Sequence, residues 1–133
     1  MKIAIIGGTN VVHKNRKVKD LLFKIKQHFG TMVTVASGGN TSGIEYVVKQ
    51  TALEFGMAYV EYNPSFSGYN QYSGCEKEYY NKSYHYSHYF DRYKKMLSNI
   101  DKLIVGVEEG VNDPIIKQTL RMAEKFKIPV VLI

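Results

Sequence analysis

Three groups of residues carry the chemistry open to this chain. The first is Ser37-Gly38-Gly39-Asn40-Thr41-Ser42-Gly43-Ile44-Glu45, which follows an apolar run at 32–36 and leads into an amphipathic pattern. Adjacent glycines let a backbone approach a ligand closely, and the first turn of a helix offers unpaired N–H groups to an anion. The second is Gly7-Gly8-Thr9-Asn10, which ends another apolar run that begins at Ile3. Two such turns suit a nucleotide-like ligand held by its phosphate. The third is Arg92, set at the border of an apolar helical stripe. A partly shielded guanidinium there suits a bidentate phosphate or carboxylate contact, with a surface salt bridge or plain solvation as the alternatives.

The carboxylates around these turns are ambiguous. Glu45 ends Ser42-Gly43-Ile44-Glu45, an S-x-x-E capping box in which Ser42 and Glu45 would satisfy free backbone donors; this is the favoured reading. The alternative makes Glu45, with Arg92, the catalytic pair for a reaction through an oxocarbenium-like state, where a nearby carboxylate is stabilising. Glu108, beside Glu109 and Gly110, could accept hydrogen bonds from ribose hydroxyls or an exocyclic amine, or simply face water. His85 and His88 stand three apart but lack a carboxylate or third imidazole at matching spacing, so no metal site is expected. No cofactor is expected either.

Alternating strand and helix patterns must position these groups. Strands are expected at 2–6, 32–36, 58–62, 102–107 and 128–133, and helices at 17–29, 44–55, 82–99 and from Pro114 to about 126. Asp113 reads as an N-cap with Pro114 at the first helical position. In the third helix Tyr86, Tyr89, Tyr93, Met96 and Ile100 form the expected core stripe, with His85, His88, Arg92 and Lys95 one step round. Alternation of this kind predicts an α/β fold: a single Rossmann-like three-layer sandwich over 1–133, with a mostly parallel five-stranded sheet. Ligands of such sheets lie beyond the carboxyl ends of the strands, where both glycine turns fall.

A polar segment at 63–81 breaks the alternation. It is long for a connection, and the stretch 63–93 holds eight of the chain's 11 tyrosines. Tyrosine joins a flat apolar face to a hydrogen-bonding tip, so the segment reads as a lid over a base or as a surface on which tyrosines pack together.

Composition narrows the rest. The chain has 133 residues, 44% hydrophobic and 23% charged, which excludes a disordered polymer. No apolar run reaches the ~20 residues of a membrane span, and the opening run is short for a signal-peptide core. One cysteine, Cys75, rules out an internal disulfide; a cytoplasmic setting is expected. The net charge of +6 invites nucleic acid, yet much of the excess is spread along helices at 14–26 and 117–127, a pattern of solvated faces.

Taken in order, these residues resemble the SLOG superfamily, the Rossmann-like group that includes the LOG (lysine-decarboxylase-like) phosphoribohydrolases and the DNA-processing protein A family. The likeness runs over nearly the whole chain. Gly7-Gly8 is similar to the family's opening turn, and Ser37-Gly38-Gly39 through Gly43 to its "SGG…G" phosphate loop. Arg92-Tyr93-Lys94-Lys95-Met96-Leu97-Ser98-Asn99-Ile100-Asp101 resembles the "R-[KN]-x-x-M…[AI]-D" segment before strand four. LOG enzymes carry "PGGxGTxxE" after that strand; here it is Val107-Glu108-Glu109-Gly110-Val111-Asn112-Asp113-Pro114, without the double glycine or the matching glutamate. The leading expectation is therefore binding of a nucleotide or nucleotide-derived molecule, with Gly7, Gly8, Thr9, Asn10, the 37–43 loop, Arg92, Glu108 and Gly110 as ligand-binding residues. The alternative is N-glycosidic hydrolysis of a nucleoside monophosphate, with Glu45 or Glu108 as the acid group, and the third reading is single-stranded nucleic-acid binding. A homodimer is consistent with the resemblance and the aromatic helix; neither nucleic acid nor membrane is the expected partner.

Overall fold

The structure, a computed structural model, describes residues 1–11 and 13–133. Its elements run β1 (Lys2–Gly7), α1 (Asn15–Phe29), β2 (Thr34–Ser37), α2 (Gly43–Glu54), β3 (Ala58–Glu61), α3 (His88–Leu97), β4 (Lys102–Gly106), α4 (Pro114–Lys125) and β5 (Val130–Leu132). The strands form one sheet of order β3-β2-β1-β4-β5, and every pairing is parallel rather than mostly so.

β1 sits at the centre, and the two-residue period of a strand sends its side chains to opposite layers. Ile3 and Ile5 join Val18, Leu22, Ile25, Ile44 and Val48 beneath α1 and α2. Ala4 and Ile6 join Met96, Leu97, Ile116 and Ala123 beneath α3 and α4. The chain thus leaves β1 toward one face and returns to β4 from the other. The carboxyl end of β1 becomes the switch point at which a crevice opens. The basic residues of α1 and α4, among them Lys17, Lys24, Lys117 and Arg121, are exposed, as a solvated face requires.

The third helix is shorter than its periodicity suggests. It spans His88–Leu97 instead of 82–99, because local side-chain bonds compete with the helical ladder at both ends. His85 Nδ1 accepts from the Ser87 amide at 3.1 Å and pairs with Ser87 Oγ at 2.7 Å, setting a turn just before the helix. At the other end Asn99 Nδ2 donates to the Lys95 carbonyl at 2.9 Å. Tyr86 therefore falls outside the helix and is 59% exposed, whereas Tyr93 and Met96 are buried as expected.

The sheet's two edges differ. The residues after β3 fold back along it: the Glu61 amide donates to the Tyr72 carbonyl at 2.8 Å, and the Gly74 amide to the Glu61 carbonyl at 2.7 Å. The 63–81 segment thus covers this edge. At the opposite edge Val130, Val131 and Leu132 stay exposed.

Ile44 ties the layers to the crevice. It is fully buried, and its side chain occupies the space above Gly7 and Gly106 at the ends of β1 and β4. A Cβ on Gly7 would stand 3.0 Å from Ile44 Cδ1. Replacing Ile44 by Ala should cost about 2–5 kcal/mol of unfolding free energy in urea titration. A loss under about 1 kcal/mol would mean that the strand ends do not depend on this side chain.

Candidate functional site

The loops after β1, β2 and β4 converge on a cleft of about 300 Å3, within the size range of small-molecule sites. Gly7 and Thr9 line it from β1, Asn40 from β2, and Asp113, Ile115 and Ile116 from β4. Its remaining wall is α3, through Tyr89, Arg92 and Tyr93.

Arg92 organises that wall. It is only 3% exposed, so its position is interior rather than at a border. A buried guanidinium must have its donors satisfied, and this one is bound to the backbone. Nε donates to the Tyr89 carbonyl at 3.0 Å, and Nη1 to the carbonyls of Gly38 at 2.8 Å and Tyr62 at 3.4 Å. Nη2 donates to Asn40 Oδ1 at 3.2 Å. Four of the five N–H groups are thereby committed, and one Nη2 hydrogen has no acceptor among the described residues. The guanidinium also lies 4.0 Å from the centre of the Tyr93 ring.

Glu45 lies behind this wall, fully buried. Its Oε2 accepts from the Tyr93 hydroxyl and, at 3.2 Å, from Asn40 Nδ2, while Oε1 has no hydrogen-bond partner among the described residues. The expected capping box is absent: Ser42 makes no side-chain cap, and the Glu45 carboxylate turns inward to Tyr93 and Asn40 instead. These two hydrogen bonds hold it inward, with the buried charge of Arg92 acting at longer range. Burial pushes the Glu45 carboxyl up from its ordinary value, against the opposing pull of Arg92, Tyr93 and the nearby Gly38 and Gly7 amides. Burial, followed by the Glu45 charge, also holds the Tyr93 phenol well above its usual range.

The glycines of the second loop make room for protein atoms. A Cβ on Gly38 would collide with the Glu45 carboxylate and stand 2.9 Å from both Arg92 Nη1 and the Tyr93 ring. Gly39, at φ +73°, faces Asn63 and Glu61. Glu61 is itself buried, paired with Lys49 at 2.9 Å and with Asn70 Nδ2 at 3.1 Å. Ser37 is buried with its Oγ 2.8 Å from the Tyr59 hydroxyl. Gly8 abuts Asp113, and Gly43 lies against the backbone of Gly8 and Thr9.

Of the residues singled out from sequence, Gly7, Thr9, Asn40 and Arg92 meet in the cleft. Asn10, Thr41 and Ser42 are exposed in the loops above it. Glu108 lines an adjoining hollow of about 170 Å3 with Gly8, its carboxylate 3.6 Å from His13, and Gly110 is exposed at φ +81°. Sequence reasoning assigned Tyr89 and Tyr93 to the core and missed them as cleft walls. It recognised Asp113 as an N-cap without placing it in the cleft, although a cap directly after a parallel strand must stand at the carboxyl edge. Outside the cleft, Phe66 gathers Tyr84, His88 and Tyr89 with ring centres 5.1, 6.0 and 5.4 Å away.

Two outcomes follow. Arg92→Ala should lower unfolding free energy by about 3–5 kcal/mol, since it removes a buried donor from the carbonyls of Gly38 and Tyr62 and from Asn40 and empties the space its side chain fills. Arg92→Lys, lacking the planar fork, should recover less than half of the loss in the same denaturant titration. For Glu45 the pH dependence has a definite sign. Below its ordinary value of 4.5 the carboxyl is protonated in both folded and unfolded chains. Above it the folded chain holds the proton longer, so stability falls as pH rises toward the elevated folded value. Glu45→Gln cannot ionise and should gain on the parent protein as pH rises above 4.5; a pH-independent gap would refute the raised carboxyl.

No family model matches the sequence, and no curated protein matches it. Solved structures do. The molybdenum cofactor binding protein from the phototrophic bacterium Rippkaea orientalis superposes with a TM-score of 0.69 at 16% identity, over 98% of this chain and 74% of that one. The molybdenum cofactor carrier protein from Chlamydomonas reinhardtii gives 0.68 at 15% identity, over the same shares of the two chains. The Rossmann-like α/β fold expected from the sequence is thus the fold this chain shares, over nearly its whole length, with these two structures.

Proposed function

We propose that this chain binds a phosphate-bearing, nucleotide-like small molecule in the cleft at the carboxyl ends of β1, β2 and β4. The observation that carries the reading is the meeting of Gly7, Thr9, Asn40 and a buried Arg92 with one free N–H at the switch point of a parallel sheet. A guanidinium fixed by four bonds presents its last donor at low entropic cost, which suits an anion. α2 adds the open N-terminus of a helix beside Asn40, with no side-chain cap on its first amides. Tyr89 supplies a flat wall for a heterocycle. The likeness to proteins described as binding or carrying the molybdenum cofactor supports a ligand of this class and adds that cofactor to the ligands to be tried.

The burial of Glu45 favours binding over hydrolysis. Its carboxylate is enclosed behind Arg92, Tyr93 and Asn40, where it buttresses the loop rather than reaching a glycosidic bond.

Thermal unfolding with nucleoside monophosphates, adenosine diphosphate ribose and the molybdenum cofactor tests this reading. A ligand at 100 times its Kd stabilises the native state by about 2.7 kcal/mol, enough to raise the midpoint clearly. Thr9→Glu, at an exposed turn, should leave the unliganded midpoint nearly unchanged while weakening the ligand at least tenfold, because it adds a carboxylate to the cleft. No free base should be released from any monophosphate. A panel in which no ligand raises the midpoint, or in which Thr9→Glu binds as the parent does, would overturn the proposal.

A further inference from the structure

Two helices, α2 and α4, begin at this cleft, and their N-termini are in opposite states. At α2 the Ser42 side chain caps nothing, and the amides of the first turn have no side-chain acceptor. At α4 the first turn is closed by a single residue. Asp113 Oδ1 accepts from the Ile115 amide at 2.9 Å and the Ile116 amide at 3.2 Å, its carbonyl accepts from Lys117 at 3.0 Å, and Pro114 has no N–H. The positive end of α4 is therefore already met by a carboxylate of its own chain. Asp113 Oδ2 takes no hydrogen bond from the described residues. It overhangs Gly8, where an added Cβ would stand 2.8 Å away, and Asp113 belongs to the lining of the cleft. Its charge reaches the opposite wall, contributing to the upward shift of the Tyr93 phenol.

We propose that Asp113 divides the cleft by charge and so determines specificity: one phosphate is received at the Asn40–Arg92 end, and the Asp113 end accepts hydroxyl or amine hydrogens and rejects a second anion. The inference rests on the binding reading above and goes beyond it by naming the ligand class, a monophosphate whose far side carries hydrogen-bond donors. A second phosphate placed there would meet a fixed carboxylate and a helix end with no amide to spare. A sugar hydroxyl would instead donate to Oδ2, a charge-assisted bond of the stronger kind.

Isothermal titration of the parent protein and Asp113→Asn with adenosine 5′-monophosphate and adenosine 3′,5′-bisphosphate tests this. Asparagine is an equally good N-cap, so α4 should keep its start and the unfolding midpoint should hold. The parent should prefer the monophosphate by at least tenfold, and Asp113→Asn should reduce that preference by about tenfold, the effect of removing one like charge at short range. Asp113→Ser, also a capping residue, provides the same comparison should the Asn variant fail to fold. An unchanged preference in a folded variant would overturn the role of Asp113 while leaving the binding reading intact. Failure of the parent to bind either nucleotide would overturn the monophosphate assignment, and the binding reading with it only if the wider panel also fails.

Discussion

A single buried cation sets the form of this site. Placing a guanidinium where it is 3% exposed demands that nearly every donor find an acceptor, and few side chains can reach it. The backbone meets most of the demand: carbonyls from α3, from the β2–α2 loop and from the residue after β3 all turn toward Arg92. Three segments far apart in sequence are thereby held to one point. The glycine at position 38 follows from the same constraint, because any larger residue would occupy the space of Arg92, Glu45 and Tyr93. Glu45 follows too, since a carboxylate so deeply buried is tolerable only beside a compensating charge and hydrogen-bond donors.

This changes the meaning of the glycine-rich loop. In many parallel α/β proteins such a loop is bare so that a phosphate can come close. Here Gly38 and Gly39 are bare because the chain's own charged groups press against them from beneath. The loop remains at the mouth of the cleft, but what it offers a ligand is Asn40 and the opening of α2 rather than the glycines themselves. Rigidity of the loop comes from below, and its open side is the one that faces the cleft.

Much of the architecture was legible in the sequence, because strands and helices here follow their hydrophobic periods and the turns carry the residues that turns require. β1, α2 and α4 begin or end within a residue or two of where patterning places them. The third helix was overextended because aromatic spacing at 82–87 mimics a helical stripe, whereas His85 and Ser87 satisfy each other in a turn. The site was half legible. Turn residues such as Gly7, Thr9 and Asn40 lie where the fold class says a ligand belongs. The inward rotation of Glu45 was hidden, since S-x-x-E has a complete local explanation and the hydroxyl that draws the carboxylate inward, that of Tyr93, lies 48 positions away. A non-local partner leaves no period to read.

The tyrosine-rich connection is tethered at both ends. Its early part is hydrogen-bonded along β3, with Asn70 joined to Glu61, and its far end leads into α3 and the anchored Arg92. Fixing one residue's backbone costs roughly 1–2 kcal/mol of conformational entropy, so leaving such a connection loose until a ligand arrived would tax binding heavily. In this fold that ordering is completed as the chain folds. The connection adds no residue of its own to the cleft; its part is to deliver α3, whose Tyr89, Arg92 and Tyr93 form the wall, already fastened in place.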